Sequence, residues 1–237
     1  MAERLRALAE ERARLDAERA KAWAERDARL KKEEAARAAR EKRRRQIELW
    51  NEAGAPARHR GRQLGELKTH GKWAAALEAA CRIVDAGATL AILGDRGNGK
   101  TQLGVELVRR YCLALKPCRY VRCRDIGLRV RRAYDPGERT SEQEAIWEFT
   151  RPALLVVDEV QELAATDFSR DTLTYILDCR YGRCVPTVLI GNTSENGFRA
   201  IVGPAIVDRL REGGSVIVFD WPSFRGKAAP GAPAASR

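Results

Sequence analysis

The chain contains no run of about 18 apolar residues, which excludes a membrane-spanning helix. Its opening stretch, MAERLRALAEERARL, is charged throughout and lacks the apolar centre of a signal peptide, so a soluble, cytoplasmic protein is expected. Histidine is almost missing: His59 and His70 are the only two. The six cysteines (Cys81, Cys112, Cys118, Cys123, Cys179, Cys184) fall at no metal-ligand spacing, and neither histidine accompanies them. A cysteine–histidine zinc site is thereby excluded, and reduced, mostly buried thiols are expected.

Charge, by contrast, is plentiful. The formal net charge is +11, and residues 1–62 hold 19 Lys and Arg against 12 Asp and Glu. Such a balance suits a polyanionic partner, though many solvated helices share it. Residues 1–50 are built almost wholly from strong helix formers. Acid-first pairs four apart (Glu10–Arg14, Glu25–Arg29, Asp27–Lys31, Glu33–Arg37, Glu41–Arg45) each add a few tenths of a kcal/mol. The apolar positions Leu5, Leu8, Leu15, Trp23 and Leu30 do not sustain a heptad. The arm therefore reads as a solvated single helix or as a partner-binding or coiled-coil helix.

Gly54 and Pro56 break this pattern, and 51–65 reads as a linker. After it, KWAAALEAACRIVDAG has helical periodicity and stops at Gly87. Five apolar runs then alternate with helical segments: ATLAILG, RYVRCRD, ALLVVDE, PTVLIGN and SVIVFDW. That alternation predicts an α/β domain over 66–226 with a parallel five-stranded sheet covered on both faces. The low-complexity tail, 227–237, is expected to be disordered.

Three strand ends carry chemistry. GDRGNGKT, Gly94 to Thr101, fits G-x-x-x-x-G-K-[ST] between a strand and a helix. Gly94, Gly97, Asn98 and Gly99 would let backbone N–H groups curl round phosphates at a helix N-terminus, with Gln102 just inside it. Lys100 would hold the β- and γ-phosphates, and the Thr101 hydroxyl would ligate Mg²⁺. LLVVDE delivers Asp158 and Glu159 to the edge where α/β sheets bind ligands. Asp158 would orient Mg²⁺ or its water, and Glu159 would act as general base on an attacking water, which points to ATP hydrolysis. LIGN places Asn192 at the next strand tip, either to help hold that water or merely to start a turn.

This set resembles the AAA+ ATPases, and more closely the DnaC/IstB family. The resemblance covers about residues 54–226, through AGAPARHR, GDRGNGKTQL, LLVVDEVQE, ILDCRYGRCVPTVLIGNTS and VDRLREGGSVIVFDWPSFR. It implies an AAA+ P-loop ATPase domain that works as an oligomer. The arginine finger of the family falls on Arg209, and a second nucleotide-sensing position falls on Arg225. Only 28 residues follow Arg209, so no separate helical lid domain is expected. The closing FDWPSFR favours a loader of a hexameric DnaB-type replicative helicase over an IstB-type transposition ATPase, which shares the core. A nucleotide-gated adaptor with little hydrolysis is the third possibility, against which Lys100, Asp158 and Glu159 argue. The zinc module that some loaders carry is excluded, since residues 1–62 hold no cysteine.

Arg119, Arg122, Arg124, Arg129, Arg131 and Arg132 crowd together with Asp125 as the only acid among them. Arg129 and Arg132, three apart on a helix, share a face. The resemblance implies that this segment and Phe168 meet single-stranded DNA; a solvated helix face and a core phenylalanine are the alternatives. Trp147 and Phe149 are expected in the core, and Trp73 either in the core or near adenine.

Overall fold

The computed structural model describes residues 1–61, 71–163 and 166–224. Arg225, the tail 227–237 and positions 62–65 of the expected linker lie outside the described residues. The chain divides into two compact units, Met1–Arg45 and Gln46–Arg237.

The first unit is helix. It belongs to α1 (Ala2–Glu52), as the run of helix formers predicts. Asp27–Lys31 closes at 2.7 Å as expected, whereas Arg29 turns to Glu33 at 3.8 Å rather than back to Glu25. Trp23 and Leu30 are exposed on its surface.

In the second unit α1 ends with Leu49 and Trp50 packed on the core. A single helical turn, α2 (Ala57–Arg60), follows. The stretch read as a linker thus contains buried residues, Ala53, Ala55 and His59. The physical reason is that its polar backbone finds partners: the Ala53 carbonyl accepts from Tyr120 N at 2.6 Å, and the Ala55 carbonyl from Arg60 Nε at 2.7 Å.

The remaining elements are α3 (Gly71–Asp85), β1 (Thr89–Gly94), α4 (Lys100–Leu113), β2 (Cys118–Arg122), α5 (Cys123–Arg132), α6 (Glu142–Thr150), β3 (Leu154–Asp158), a short 3-10 helix (Val160–Glu162), α7 (Asp167–Tyr181), β4 (Thr187–Gly191), α8 (Glu195–Val202), α9 (Pro204–Gly213) and β5 (Ser215–Phe219). The strands lie in the order β2-β3-β4-β1-β5, and every pairing is parallel. β3 and β4 are buried along their whole length, as continuous apolar runs require when helices cover both faces. β2 stops at Arg122, short of the expected run to Asp125, because Asp125 turns back to pair with Arg122 at 2.9 Å in the first turn of α5. One core layer joins α3 and α4 to one sheet face; a second joins α5 to α9 with the other. Gly104 lets α4 lie against the sheet, since a Cβ there would meet Ile190 Cδ1 at 2.7 Å.

Trp147, expected in the core, is 38% exposed, with the Arg151 guanidinium 3.8 Å above its ring. A charged neighbour covers the ring and leaves it at the surface. Phe149 is buried. All six cysteines are free thiols.

Candidate active site

The carboxyl ends of β1, β3 and β4 are adjacent in the sheet, so Gly94, Asp158 and Gly191 bring their following residues to one edge. From β1 the chain enters the glycine-rich loop. Gly94, Gly97 and Gly99 have φ of +135°, +89° and +95°, a region that other residues enter only with strain. α4 then starts at Lys100, and no side chain caps it. Its first N–H groups therefore face the loop as an anion site. Lys100 is buried, and its ammonium donates to the carbonyls of Gly94 (2.8 Å) and Asp95 (2.5 Å) and to Asn98 Oδ1 (3.1 Å).

The loop is braced from behind by the residues after β5. Asn98 Nδ2 donates to the Phe219 carbonyl at 3.0 Å, and Trp221 Nε1 donates to the Asn98 carbonyl at 3.0 Å. Phe224 N donates to the Gly97 carbonyl at 2.9 Å, and Trp73 Nε1 to the Gly99 carbonyl at 3.3 Å. FDWPSF thus forms the outer wall of the phosphate loop, a role its residue types do not announce. Trp73 is fully buried in the same brace, which settles its place as core. Gln102 is also buried, and its Oε1 accepts a hydrogen bond from His59 Nδ1 at 2.9 Å.

Asp158 is buried at the end of β3, and Thr101 Oγ1 donates to its Oδ2 at 3.0 Å. The Tyr120 hydroxyl donates to the same oxygen, and Glu159 N donates to Oδ1 at 2.8 Å. Burial raises the Asp158 carboxyl above its ordinary range, and these hydrogen bonds pull it back. Burial likewise pushes the Tyr120 phenol up, so it serves as donor to the carboxylate.

Glu159 sits in the left-handed region at φ 56°, ψ 49°, a conformation costing a non-glycine residue about 1–2 kcal/mol. Its carboxylate accepts from Asn192 Nδ2 at 2.6 Å and from Gln161 Nε2. Gln161 Oε1 in turn accepts from Asn192 N at 2.9 Å. Neither Gln161 nor Tyr120 belongs to a motif that the sequence displays. The Gln161 side chain closes a ring with Glu159 and Asn192 that joins two strands, and only the parallel pairing of β3 and β4 reveals it.

The donor set suits Mg²⁺ with ATP phosphates: a hydroxyl and a carboxylate, both hard oxygens, beside an anion-binding loop. Among the described residues no cluster of three or more His, Cys, Asp or Glu could hold a metal by itself.

Arg209 lies elsewhere. Its guanidinium bonds Asp178 Oδ1 at 3.2 Å and Glu212 Oε2 at 3.4 Å and stands 5.0 Å from the Tyr181 ring centre. Asp178 and Tyr181 close α7 just before β4 begins, at the opposite edge of the sheet from the phosphate loop. Arg209 is thus no part of the pocket its own chain builds.

Of the residues expected at DNA, Arg129 is half-buried and paired with Glu148 at 2.6 Å, while Arg132 is exposed. They do not form one free basic face, because α6 supplies an acid against the first of them. Phe168 is half-buried, neither core nor fully open, with Tyr134 edge-on at 6.4 Å and the Arg131 guanidinium 5.3 Å from its ring. Arg124, Leu128 and Arg131 share one face of α5 and line a hollow of about 210 Å³ with Glu162 and Leu163.

Among known proteins, a family model described as IstB-like ATP binding protein matches residues 3–230. The replicative helicase loader DnaC of Escherichia coli strain K12 is 24% identical over 135 residues, 56% of this chain and 55% of that one. An ATP-binding protein in an insertion sequence of Mycobacterium tuberculosis is 26% identical over 163 residues, 65% of this chain and 62% of its own. The chain thus spans little more than half the length of the curated loader it matches. A crystal structure of the DnaC helicase loader superimposes with a TM-score of 0.53 at 21% identity, covering 62% of this chain and 90% of that one, which shows the shared fold.

Proposed function

The chain belongs to the family of IstB-like ATP-binding proteins, and from that premise we propose that it is an ATP-driven loader of a hexameric replicative helicase. The observation that carries the reading is the meeting of Lys100, Thr101, Asp158, Glu159 and Asn192 at one sheet edge, with Arg209 held at the other. The N–H groups at the start of α4 and Lys100 hold the phosphates of ATP. Thr101 and Asp158 would hold Mg²⁺, which would supply positive charge beside the phosphates. Glu159 takes a proton from the water that attacks the γ-phosphorus, and the bond to the β-γ bridging oxygen breaks to leave ADP and phosphate. Asn192 fixes the Glu159 carboxylate. The charge that hydrolysis develops is met by Arg209 of a neighbouring copy, which makes turnover depend on assembly. Arg225 is the proposed second sensor of the nucleotide.

Single-stranded DNA, in this reading, lies along the hollow beside α5, with Phe168 offering a ring for base stacking and Arg124 and Arg131 meeting phosphates. The exposed helix of the first unit engages the helicase. Hydrolysis then permits release.

The test is a pull-down with a hexameric replicative helicase, using the full-length chain and a version lacking residues 1–45. Retention by the full-length chain alone assigns the contact to the helix. If neither form is retained, the loader reading is wrong. A second reading, an ATPase that remodels DNA with a transposase, is favoured by the insertion-sequence relative, whose match covers 65% of this chain. Co-purification with a transposase instead of the helicase would establish it. Equal turnover in wild type and Glu159→Gln would favour an adaptor that hydrolyses little.

A further inference from the structure

Tyr120 is held at three points. It lies on the edge strand β2, and its N–H and carbonyl both face outward from the sheet. The N–H donates to the Ala53 carbonyl at 2.6 Å. The carbonyl lies against Gly54, where a Cβ would come within 2.8 Å of the oxygen at a φ of +79°. The Ala53–Gly54 pair therefore covers an edge that would otherwise be open at this residue. The third point is the phenol hydroxyl, which donates to Asp158 Oδ2. One residue thus touches both the segment after α1 and the carboxylate read above as a magnesium ligand.

That segment is itself fastened to the phosphate-loop helix. Arg109 NH2, on α4, donates to the Arg60 carbonyl at 3.0 Å, and His59 meets Gln102. Ala53 and Ala55 are buried. It cannot shift on β2 without disturbing Tyr120, and Tyr120 cannot shift without moving a donor on Asp158.

We infer that Tyr120 is a positioning residue for Asp158, and that the seating of Ala53–Gly54 on its backbone sets how firmly Asp158 is held for magnesium-bound nucleotide. The inference rests on the reading of Asp158 as a magnesium ligand. Outer partners of this kind orient a ligand, and their loss costs about 10–100-fold in metal affinity or activity. The phenylalanine variant keeps the buried ring and removes only the hydroxyl, so packing is preserved.

Full-length wild type and Tyr120→Phe are titrated with a fluorescent ATP analogue, once in MgCl2 and once in EDTA, and Mn²⁺ binding is followed by electron paramagnetic resonance. Tyr120→Phe is expected to match wild type in EDTA and to bind about 10-fold more weakly with metal. Hydrogen exchange supplies the second measurement: the Tyr120 amide, bonded to Ala53, should exchange more slowly with magnesium and nucleotide in wild type, and less so in the variant. A variant that retains the full magnesium increment overturns the positioning role. An exchange rate at Tyr120 indifferent to magnesium and nucleotide overturns the coupling to Ala53. Should wild type itself show no magnesium increment, the reading of Asp158 fails and this inference with it.

Discussion

Asn192 at the tip of β4 donates its amide to the Glu159 carboxylate across 2.6 Å, so the residue that would activate water is positioned by the neighbouring strand. The amide fixes one oxygen of a side chain whose backbone is already in a strained conformation. Asn192→Ala should lower kcat about 10²–10³-fold while ATP affinity stays near wild type, as for loss of one preorganised donor. Steady-state hydrolysis beside equilibrium nucleotide binding would reveal the split. A parallel fall in affinity would mean that Asn192 shapes the pocket and not the chemistry.

Arg209 makes contacts that, taken alone, are worth little. Exposed ion pairs contribute little, and the hydrogen bond to Asp178 favours the charged guanidinium. A finger acting on another copy is worth about 10³–10⁵ in rate. Arg209→Ala is expected to bind ATP like wild type, to melt within a few degrees of it, and to lose hydrolysis at concentrations where wild type assembles. Mixing it with a Lys100→Ala chain should restore part of the turnover, because each copy supplies what the other lacks. No rescue, with full hydrolysis by dilute Arg209→Ala, would make this arginine a surface residue.

Trp221 donates its indole N–H to the Asn98 carbonyl, and its ring packs 4.2 Å from that of Phe219. Trp221→Phe preserves an aromatic ring and removes the hydrogen bond, worth about 0.5–1.5 kcal/mol. ATP affinity should fall by about 2–10-fold, and isothermal titration would measure it.

Arg180 is a wholly buried cation with no carboxylate bonded to it among the described residues. Its guanidinium donates to Thr187 Oγ1 and to the carbonyls of Phe149, Thr150, Pro152 and Pro186 at 2.6–3.2 Å. It fastens the end of α7 to the entrances of β3 and β4. Arg180→Met fills the space but strands these acceptors, and should cost about 3 kcal/mol. For a chain of this size that lowers Tm by about 6–12 °C, readable by circular dichroism. Arg180→Lys should recover only part, since an ammonium lacks the planar fork.

On the DNA reading, Phe168→Ala and Arg131→Ala should each weaken binding of a fluorescent single strand, the first by about 1–3 kcal/mol. Arg131→Ala should also flatten the salt dependence by roughly one phosphate contact. Arg129→Ala should instead act on stability, through the loss of Glu148. Equal losses of DNA affinity for Arg129 and Arg131 would argue against the hollow as the binding face.

Much of the candidate site is legible in the sequence because its chemistry is local. A glycine-rich loop must sit between a strand and a helix, and an apolar run ending in Asp158 and Glu159 must deliver them to the sheet edge. What stayed hidden depends on long-range pairing. Gln161 gains meaning only beside Asn192, Tyr120 only beside Asp158, and Trp221 only beside Asn98. The burial of the Arg180 guanidinium among carbonyls leaves no trace in hydrophobic periodicity. Trp147 misled in the other direction: an apolar ring implies burial until an arginine covers it.

The brace behind the phosphate loop also bears on the order in which the protein becomes competent during synthesis. Both phosphate motifs are complete once Glu159 has been made, yet the contacts that seat Gly97 and Asn98 come from Phe219, Trp221 and Phe224. A shortened chain can therefore carry every recognisable ATP motif while its phosphate loop lacks a back wall. ATP binding becomes a property of the domain only once β5 and the residues that follow it are in place.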